Sequence, residues 1–313
     1  MDFVNLLFII LTSGLPCSLL ALGIFITYRL LDFADLTAEG SFLIGGVVCI
    51  TIIKNGGNAF LATVIAILAG GMCGLITGLL HTKLKIPKLL SGIITMTASA
   101  SIAMLIMGST VETMFTNVVT LSYTQDTIYS LFFVGGVWNQ VIEAGIMLVI
   151  VLVVLFLLYF FFGTEYGMAI RATGMNPQMS RAQGINTDLS TIFAVSLSNA
   201  LIGLAGAMFC QDLRSVDVKT ASGFLVIGLA SIIIGETIFG KKTFKNWIIS
   251  VSLGAIIYFV IVNFAIRVGF PTEMKNLLYA VLIVIALCMP FIKDYFKKLF
   301  AKKKEGGLES VNN

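Results

Sequence analysis

Residues 58–80 read NAFLATVIAILAGGMCGLITGLL. Twenty-three residues pass without a charge, enough helix to cross the roughly 30 Å hydrocarbon layer of a bilayer. In lipid each backbone N–H and C=O needs a partner inside the protein, so an apolar run of this length is a helix. Gly70, Gly74 and Gly78 recur every fourth residue and mark a face where another backbone can come close. That neighbour lies within the subunit or in a second copy.

The rest of the chain repeats this pattern. Its 313 residues are 58% hydrophobic and 12% charged, with a mean hydropathy of +1.00, more apolar surface than a soluble domain can cover. Runs at 5–28, 40–53, 58–80, 89–108, 142–162, 188–211, 222–239, 246–266 and 275–292 give about nine spans. The expected fold is an all-α polytopic membrane protein. The segments have helical length and do not alternate, which excludes an outer-membrane barrel. The semi-polar segment 110–138 reads as an outer loop with a re-entrant or surface helix, and 293–313 as a disordered cytoplasmic tail. The N-terminus lacks the basic flank of a signal peptide. The five cysteines lie in or beside apolar runs without metal-ligand spacing, so they read as packing residues and no metal is expected.

Charge gives the orientation. Alternating spans put fifteen of the twenty Lys and Arg residues on one side: Arg29; Lys83, Lys85 and Lys88; Arg171 and Arg181; Lys241, Lys242 and Lys245; and six tail lysines. The positive-inside rule then sets the N-terminus outside and the C-terminus in the cytoplasm of a cell membrane. The net charge of +4 is spread between spans rather than gathered in a patch, so nucleic acid is not an expected partner.

A shift of 183 positions aligns 13–45 with 196–228 without a gap, with eight identities in thirty-three positions, and Gly71 and Gly254 continue the offset. The two copies run in opposite directions, which predicts an inverted repeat, a transporter architecture. Repeat one covers about 5–108, span 142–162 links the halves, and repeat two covers about 188–292. Each repeat holds a charged break, Arg29-Leu-Leu-Asp-Phe-Ala-Asp-Leu-Thr-Ala-Glu-Gly40 and Asp212-Leu-Arg-Ser-Val-Asp-Val-Lys-Thr-Ala-Ser-Gly223. Two readings fit them, a solvated interfacial loop or a discontinuous helix lining a pathway. The candidate pathway residues are Asp32, Asp35, Thr37 and Glu39 in the first break, Thr95 and Thr97 in the fourth span, Asn199 in the sixth, Thr220 and Ser222 in the second break, and Glu236. Glu236 is either an intramembrane functional acid or an interfacial partner of Lys241 and Lys242.

No constellation points to an enzyme. The segment 235–243 approaches a phosphate-binding loop but carries Lys242 where a magnesium-ligating hydroxyl is required, and no strand precedes it. The single histidine, His81, sits at a helix end and receives no catalytic role.

One segment resembles a known family. Between the fifth and sixth spans lie Tyr166-Gly167, Ala169-x-Arg171-Ala172-x-Gly174 and Gly184-Ile185-Asn186, around a short helix that Pro177 would open after Asn176. This pattern resembles the coupling loop of the permease family serving branched-chain amino acid and simple-sugar ABC importers. Asp35-Leu-Thr-x-x-Gly40, Leu204-Ala-Gly-Ala and Ile233-Ile-Gly-Glu236 extend the resemblance over nearly the whole chain. Ser91-Gly-Ile-Ile-Thr-Met-Thr97 is similar to the tryptophan/tyrosine import branch.

The resemblance implies a permease domain over 1–292 whose loop 163–187 couples to an ATPase through Glu165, Tyr166, Gly167, Arg171, Ala172, Gly174, Arg181, Gly184, Ile185 and Asn186. It implies an ABC ATPase partner that binds ATP and magnesium, with no cofactor in this chain. It also implies an extracytoplasmic solute-binding lipoprotein, a second permease copy as a homodimer, and a small-molecule substrate crossing among membrane lipids. The substrate implied is an aromatic amino acid; a nucleoside or sugar is the alternative. A secondary transporter driven by an ion gradient also fits the inverted repeat, though not the coupling loop, and a non-transporting scaffold leaves repeat and breaks unexplained.

Overall fold

The computed structural model describes residues 3–108, 118–120, 127–128 and 138–268, together with 281, 284 and 288. Its helices are α1 (Phe3–Phe25), α2 (Thr37–Lys54), α3 (Ala59–Thr82), α4 (Lys88–Ile106), α5 (Trp138–Phe162), α6 (Glu165–Met175), α7 (Pro177–Ala182), α8 (Thr187–Leu213), α9 (Phe224–Phe239) and α10 (Phe244–Arg267). A π-helical turn, Ile26–Leu30, extends α1, and two short strands, β1 (Val118–Thr120) and β2 (Ser215–Asp217), pair antiparallel.

Among the described residues seven helices are long and apolar enough to cross a membrane. α9 is apolar but has only 16 residues, about 24 Å at 1.5 Å per residue and short of a full crossing. The expected span 222–239 is therefore a partial one. The expected 275–292 span, apart from 281, 284 and 288, lies outside the described residues, as do the 293–313 tail and most of 110–138.

Helix packing follows the small residues. Lipid offers no hydrophobic drive for helices to associate, so close van der Waals contact and interhelical hydrogen bonds must hold them. α3 lies along α8: a Cβ on Gly70 would meet the Asn199 carbonyl, one on Gly74 the Val195 carbonyl, and one on Gly78 would reach the Ile192 Cα at 2.9 Å. The glycine face of residues 58–80 is thus occupied inside the subunit. α2 crosses the same helix, with Gly45 against Gly203 and Gly206 against the Phe42 carbonyl. Hydroxyls stitch these contacts: Ser198 donates to the Gly23 carbonyl at 2.7 Å and Ser196 to the Gly71 carbonyl at 2.9 Å. On the far side of α1, Ser18 donates to the Ser252 carbonyl of α10 at 3.0 Å.

The result is a reciprocal pattern in which α1 packs on α8, α9 and α10 while α8 packs on α1, α2 and α3. The outer faces of α3 and α5 carry exposed Phe60, Leu68, Met72, Phe156 and Phe160, suited to lipid. Cys17, Cys49, Cys73 and Cys210 are free and buried, and no metal-holding group of His, Cys, Asp or Glu occurs among the described residues.

This packing separates two glycines sharply. Gly74→Leu drives a side chain into α8 and should cost about 3 kcal/mol or more, whereas Gly145→Leu, with nothing within 4 Å of its position, should stay within about 0.5 kcal/mol. Thermal unfolding in detergent measures both; equal midpoints for the two variants would contradict the α3–α8 contact.

Candidate functional site

The first break is built from one turn and one carboxylate. The π turn lets the Leu31 amide donate to the Ile26 carbonyl at 3.1 Å and the Phe33 amide to that of Thr27 at 2.9 Å. Asp32 adopts a left-handed φ of 50°, which redirects the chain into the protein. Asp35 then accepts the Thr37 amide on Oδ1 at 2.9 Å, satisfying an orphan donor at the start of α2. Its Oδ2 accepts from Asn199 Nδ2 at 2.6 Å. Asn199 Oδ1 in turn accepts from Ser41 at 2.7 Å, and the Thr37 and Thr77 hydroxyls lie 2.7 Å apart. All five side chains are buried. They tie α2, α3 and α8 together at one level.

The second break mirrors this logic with a partner from the other half. α8 ends at Arg214 with φ 51°, the chain passes through β2 and a 3-10 turn (Val218–Ala221), and Gly223 at φ 90° opens α9. Gly223 has no side chain to cap the new helix, and Glu39 of α2 accepts its amide on Oε1 at 3.0 Å. A carboxylate at a helix N-terminus also meets the positive end of the helix dipole. Phe42 stacks on Phe224 at 4.2 Å, so the starts of α2 and α9 are held against each other.

Glu236 has a partner that local sequence does not reveal. Its Oε2 accepts from Arg29 Nη2 at 2.6 Å and its Oε1 from Trp247 Nε1 at 2.8 Å, and Trp247 packs edge-on against Phe25. The ion pair joins the π turn to α9 and α10. Of the two sequence readings, the interfacial pairing with Lys241 and Lys242 is replaced by a pairing across 207 positions.

Residues 163–187 fold as a helical hairpin on the end of the bundle where α1 and α9 finish. The short helix expected after Asn176 is α7, capped by the Asn176 carboxamide on the Met179 amide; the stretch before it, expected as loop, is the helix α6. Gly167 lies against the Phe161–Phe162 backbone. The Arg171 guanidinium sits 4.4 Å from the centre of the Phe244 ring. Gly174 rests directly on the Leu30 carbonyl and the Leu31 backbone, where any Cβ would collide. Arg181 donates to Thr187 at 2.6 Å and reaches Asp188 at 3.3 Å. Gly184 takes φ 83°, and Asn186 caps α8 on the Leu189 amide. Glu165 and Tyr166 are exposed, and Ala172 and Ile185 half-buried.

The candidate pathway residues therefore do not converge on one pocket. Asp35, Thr37 and Asn199 share the buried knot; Glu39 bridges the breaks; Glu236 belongs to the ion pair. Thr95 is buried and bonded to the Ser91 carbonyl, Thr97 and Ser222 are exposed, Asp32 is exposed, and the Thr220 side chain lies outside the described residues. Sequence reading missed Ser41, Thr77, Arg29 and Trp247. Ser41 lies four positions after Thr37 on the same helix face and was readable from that spacing; Trp247 carries no such signal.

Known proteins decide the family. A family model described as "Branched-chain amino acid transport system / permease component" matches residues 6–287. The chain belongs to this family. It is a membrane-spanning permease subunit of an ABC transporter. Such subunits are not catalytic; the family implies a separate ATPase partner and usually a solute-binding protein. The tyrosine transport system permease protein of Clostridioides difficile is 36% identical over 293 residues, covering 94% of each chain. A probable branched-chain amino acid transport permease of Methanocaldococcus jannaschii is 27% identical, covering 87% of this chain and 86% of the relative. The ribose import permease of Escherichia coli K12 is 25% identical, covering 91% and 85%. No solved structure matches the permease. An ion-gradient transporter is thereby set aside.

The Arg29–Glu236 pair yields a direct test. Arg29→Met leaves a carboxylate whose side chain is only 10% exposed with Trp247 alone, and should destabilise the permease by about 2–3 kcal/mol. Adding Glu236→Met should recover most of that loss in a thermal-unfolding cycle; a double variant as unstable as the sum of both singles would refute the pairing.

Proposed function

We propose that this permease is the membrane part of an ATP-driven importer for a small zwitterionic amino acid with an aromatic side chain. The observation that carries the coupling is the seat of Gly174 on the Leu30–Leu31 backbone. The α6–α7 hairpin docks on the ATPase, which binds ATP and magnesium. Its displacement passes through that glycine into the π turn and the first break. Arg29–Glu236 carries it to α9, and Glu39–Gly223 links the starts of α2 and α9. The surface that would meet the ATPase offers exposed Tyr166, Met175 and Met179, large and adaptable side chains suited to a docking face.

The orientation follows the Lys and Arg bias: the hairpin lies in the cytoplasm and the β1–β2 end outside, in the cell membrane. The reciprocal packing of α1 on α8–α10 and α8 on α1–α3 supports an inverted repeat, in which two halves rock about a central pathway. Two permease copies, two ATPase subunits and an extracytoplasmic binding lipoprotein complete the assembly. The relative named for tyrosine, at 36% identity, supports the aromatic substrate over the sugars named for relatives near 25%. Phe42, Phe209 and Phe224 form an aromatic cluster where the starts of α2 and α9 meet, chemistry suited to an aromatic ring.

Two measurements check this reading. In proteoliposomes with the cognate ATPase and binding protein, Gly174→Val should lower uptake about tenfold or more while ATP hydrolysis persists; wild-type uptake would overturn the coupling route. Calorimetry on the cognate binding protein should detect tyrosine or tryptophan; tight binding of ribose or a nucleoside with no response to either amino acid would overturn the substrate while leaving the permease assignment intact.

A further inference from the structure

We propose that the cavity between the first break and the α6–α7 hairpin binds a phosphate-bearing anion. The cavity has a volume of about 310 Å³ and is bounded by Phe33, Lys85, Lys88, Arg181 and Asp188, among others. Three fixed cations thus face one carboxylate. Asp188, 3.3 Å from Arg181, offsets one of these charges, and Lys85 and Lys88 leave the cavity net positive. Lys88 Nζ donates to the Asp32 carbonyl at 2.8 Å and sits 5.8 Å from the Phe33 ring centre, so its charge is oriented rather than neutralised.

The backbone adds to this field. Lys85 holds a left-handed φ of 58°, a conformation that costs a non-glycine residue about 1–2 kcal/mol and persists where surroundings over-determine it. α4 begins at Lys88 without a side-chain cap and presents its positive N-terminal end at the rim, while the start of α8 is already served by Asn186 and Asp188. Cations, an oriented lysine and one uncapped helix end favour the same occupant, a compact multivalent oxyanion.

Two sources offer that chemistry, an anionic phospholipid headgroup and soluble phosphate. α3 ends at Thr82 and α4 and α8 start at the cavity, with Leu84, Leu89 and Leu189 exposed beside it. In the proposed orientation this is the level of the inner headgroups, where basic pockets between helices meet anionic lipid. A bound phosphate would bridge Lys85 and Lys88 to Arg181 of the hairpin and stiffen the route through Gly174. That consequence rests on the proposed coupling; the binding itself does not, and is tested without the ATPase.

The full-length permease in phosphatidylcholine nanodiscs, alone and doped with phosphatidylglycerol, gives one arm; potassium phosphate against chloride at matched ionic strength gives the other. The midpoint of thermal unfolding is the readout for wild type, Lys85→Gln, Lys85→Gln/Arg181→Gln and the control Lys241→Gln/Lys242→Gln, which removes two exposed charges outside the cavity. A saturable upward shift is expected in the wild type and the control, with apparent affinity reduced about tenfold per cavity cation removed, equivalent to 1.4 kcal/mol each. Response to phosphatidylglycerol alone identifies the lipid, and response to phosphate identifies the soluble ion; both support the site. Absence of a shift in both arms, or an undiminished shift in Lys85→Gln, overturns it.

Discussion

Two helices of this permease begin among packed side chains rather than in water, and a helix cannot begin there unless its first amides find acceptors. Each is supplied by a carboxylate. Asp35 accepts the Thr37 amide from its own segment, and Glu39 accepts the Gly223 amide from the opposite half of the chain. Without these acceptors the breaks would be buried strands of unsatisfied backbone, each group costing about 1–3 kcal/mol. With them, the breaks are stable features that a moving part can push against. The second carboxyl oxygen of Asp35 goes to Asn199, which fixes the break to α8.

α8 then explains why the two halves share one core. Its glycine and serine positions let α3, α2 and α1 approach backbone to backbone, as Gly74 on Val195, Gly45 on Gly203 and Ser198 on Gly23 illustrate. A bundle packed this way transmits displacement rather than absorbing it, because interiors at this density have little free volume. Gly174 seats the α6–α7 hairpin on residues 30–31 of the π turn, and the neighbouring Arg29 ties that turn to α9 through Glu236.

Much of the architecture was legible in the residues. Uncharged runs marked the membrane helices, Gly70, Gly74 and Gly78 marked a contact face, and Asn176-Pro177 marked the start of α7. Legibility failed where partners lie far apart in sequence. Glu236 beside Lys241 and Lys242 left a functional acid and a local pair both open, and neither reading names Arg29, which the π turn places against α9. α6 was missed because Gly167 and Gly174 argue against a helix by propensity; each is required by tertiary contact, one on the Phe161–Phe162 backbone and one on Leu30–Leu31. The expected pathway polar groups are mostly spent on holding the breaks, as Asp35, Thr37 and Asn199 are, a role that residue type alone does not separate from substrate contact.

The central claim is that the hairpin acts on the first break through Gly174. Hydrogen exchange on the assembled transporter tests it directly, with and without a non-hydrolysable ATP analogue. The amides of Leu31 and Phe33, bonded to the Ile26 and Thr27 carbonyls, should change protection together with residues 163–187 when the analogue binds, before any substrate is present. A change confined to 163–187, with 26–40 unaltered, would contradict the account.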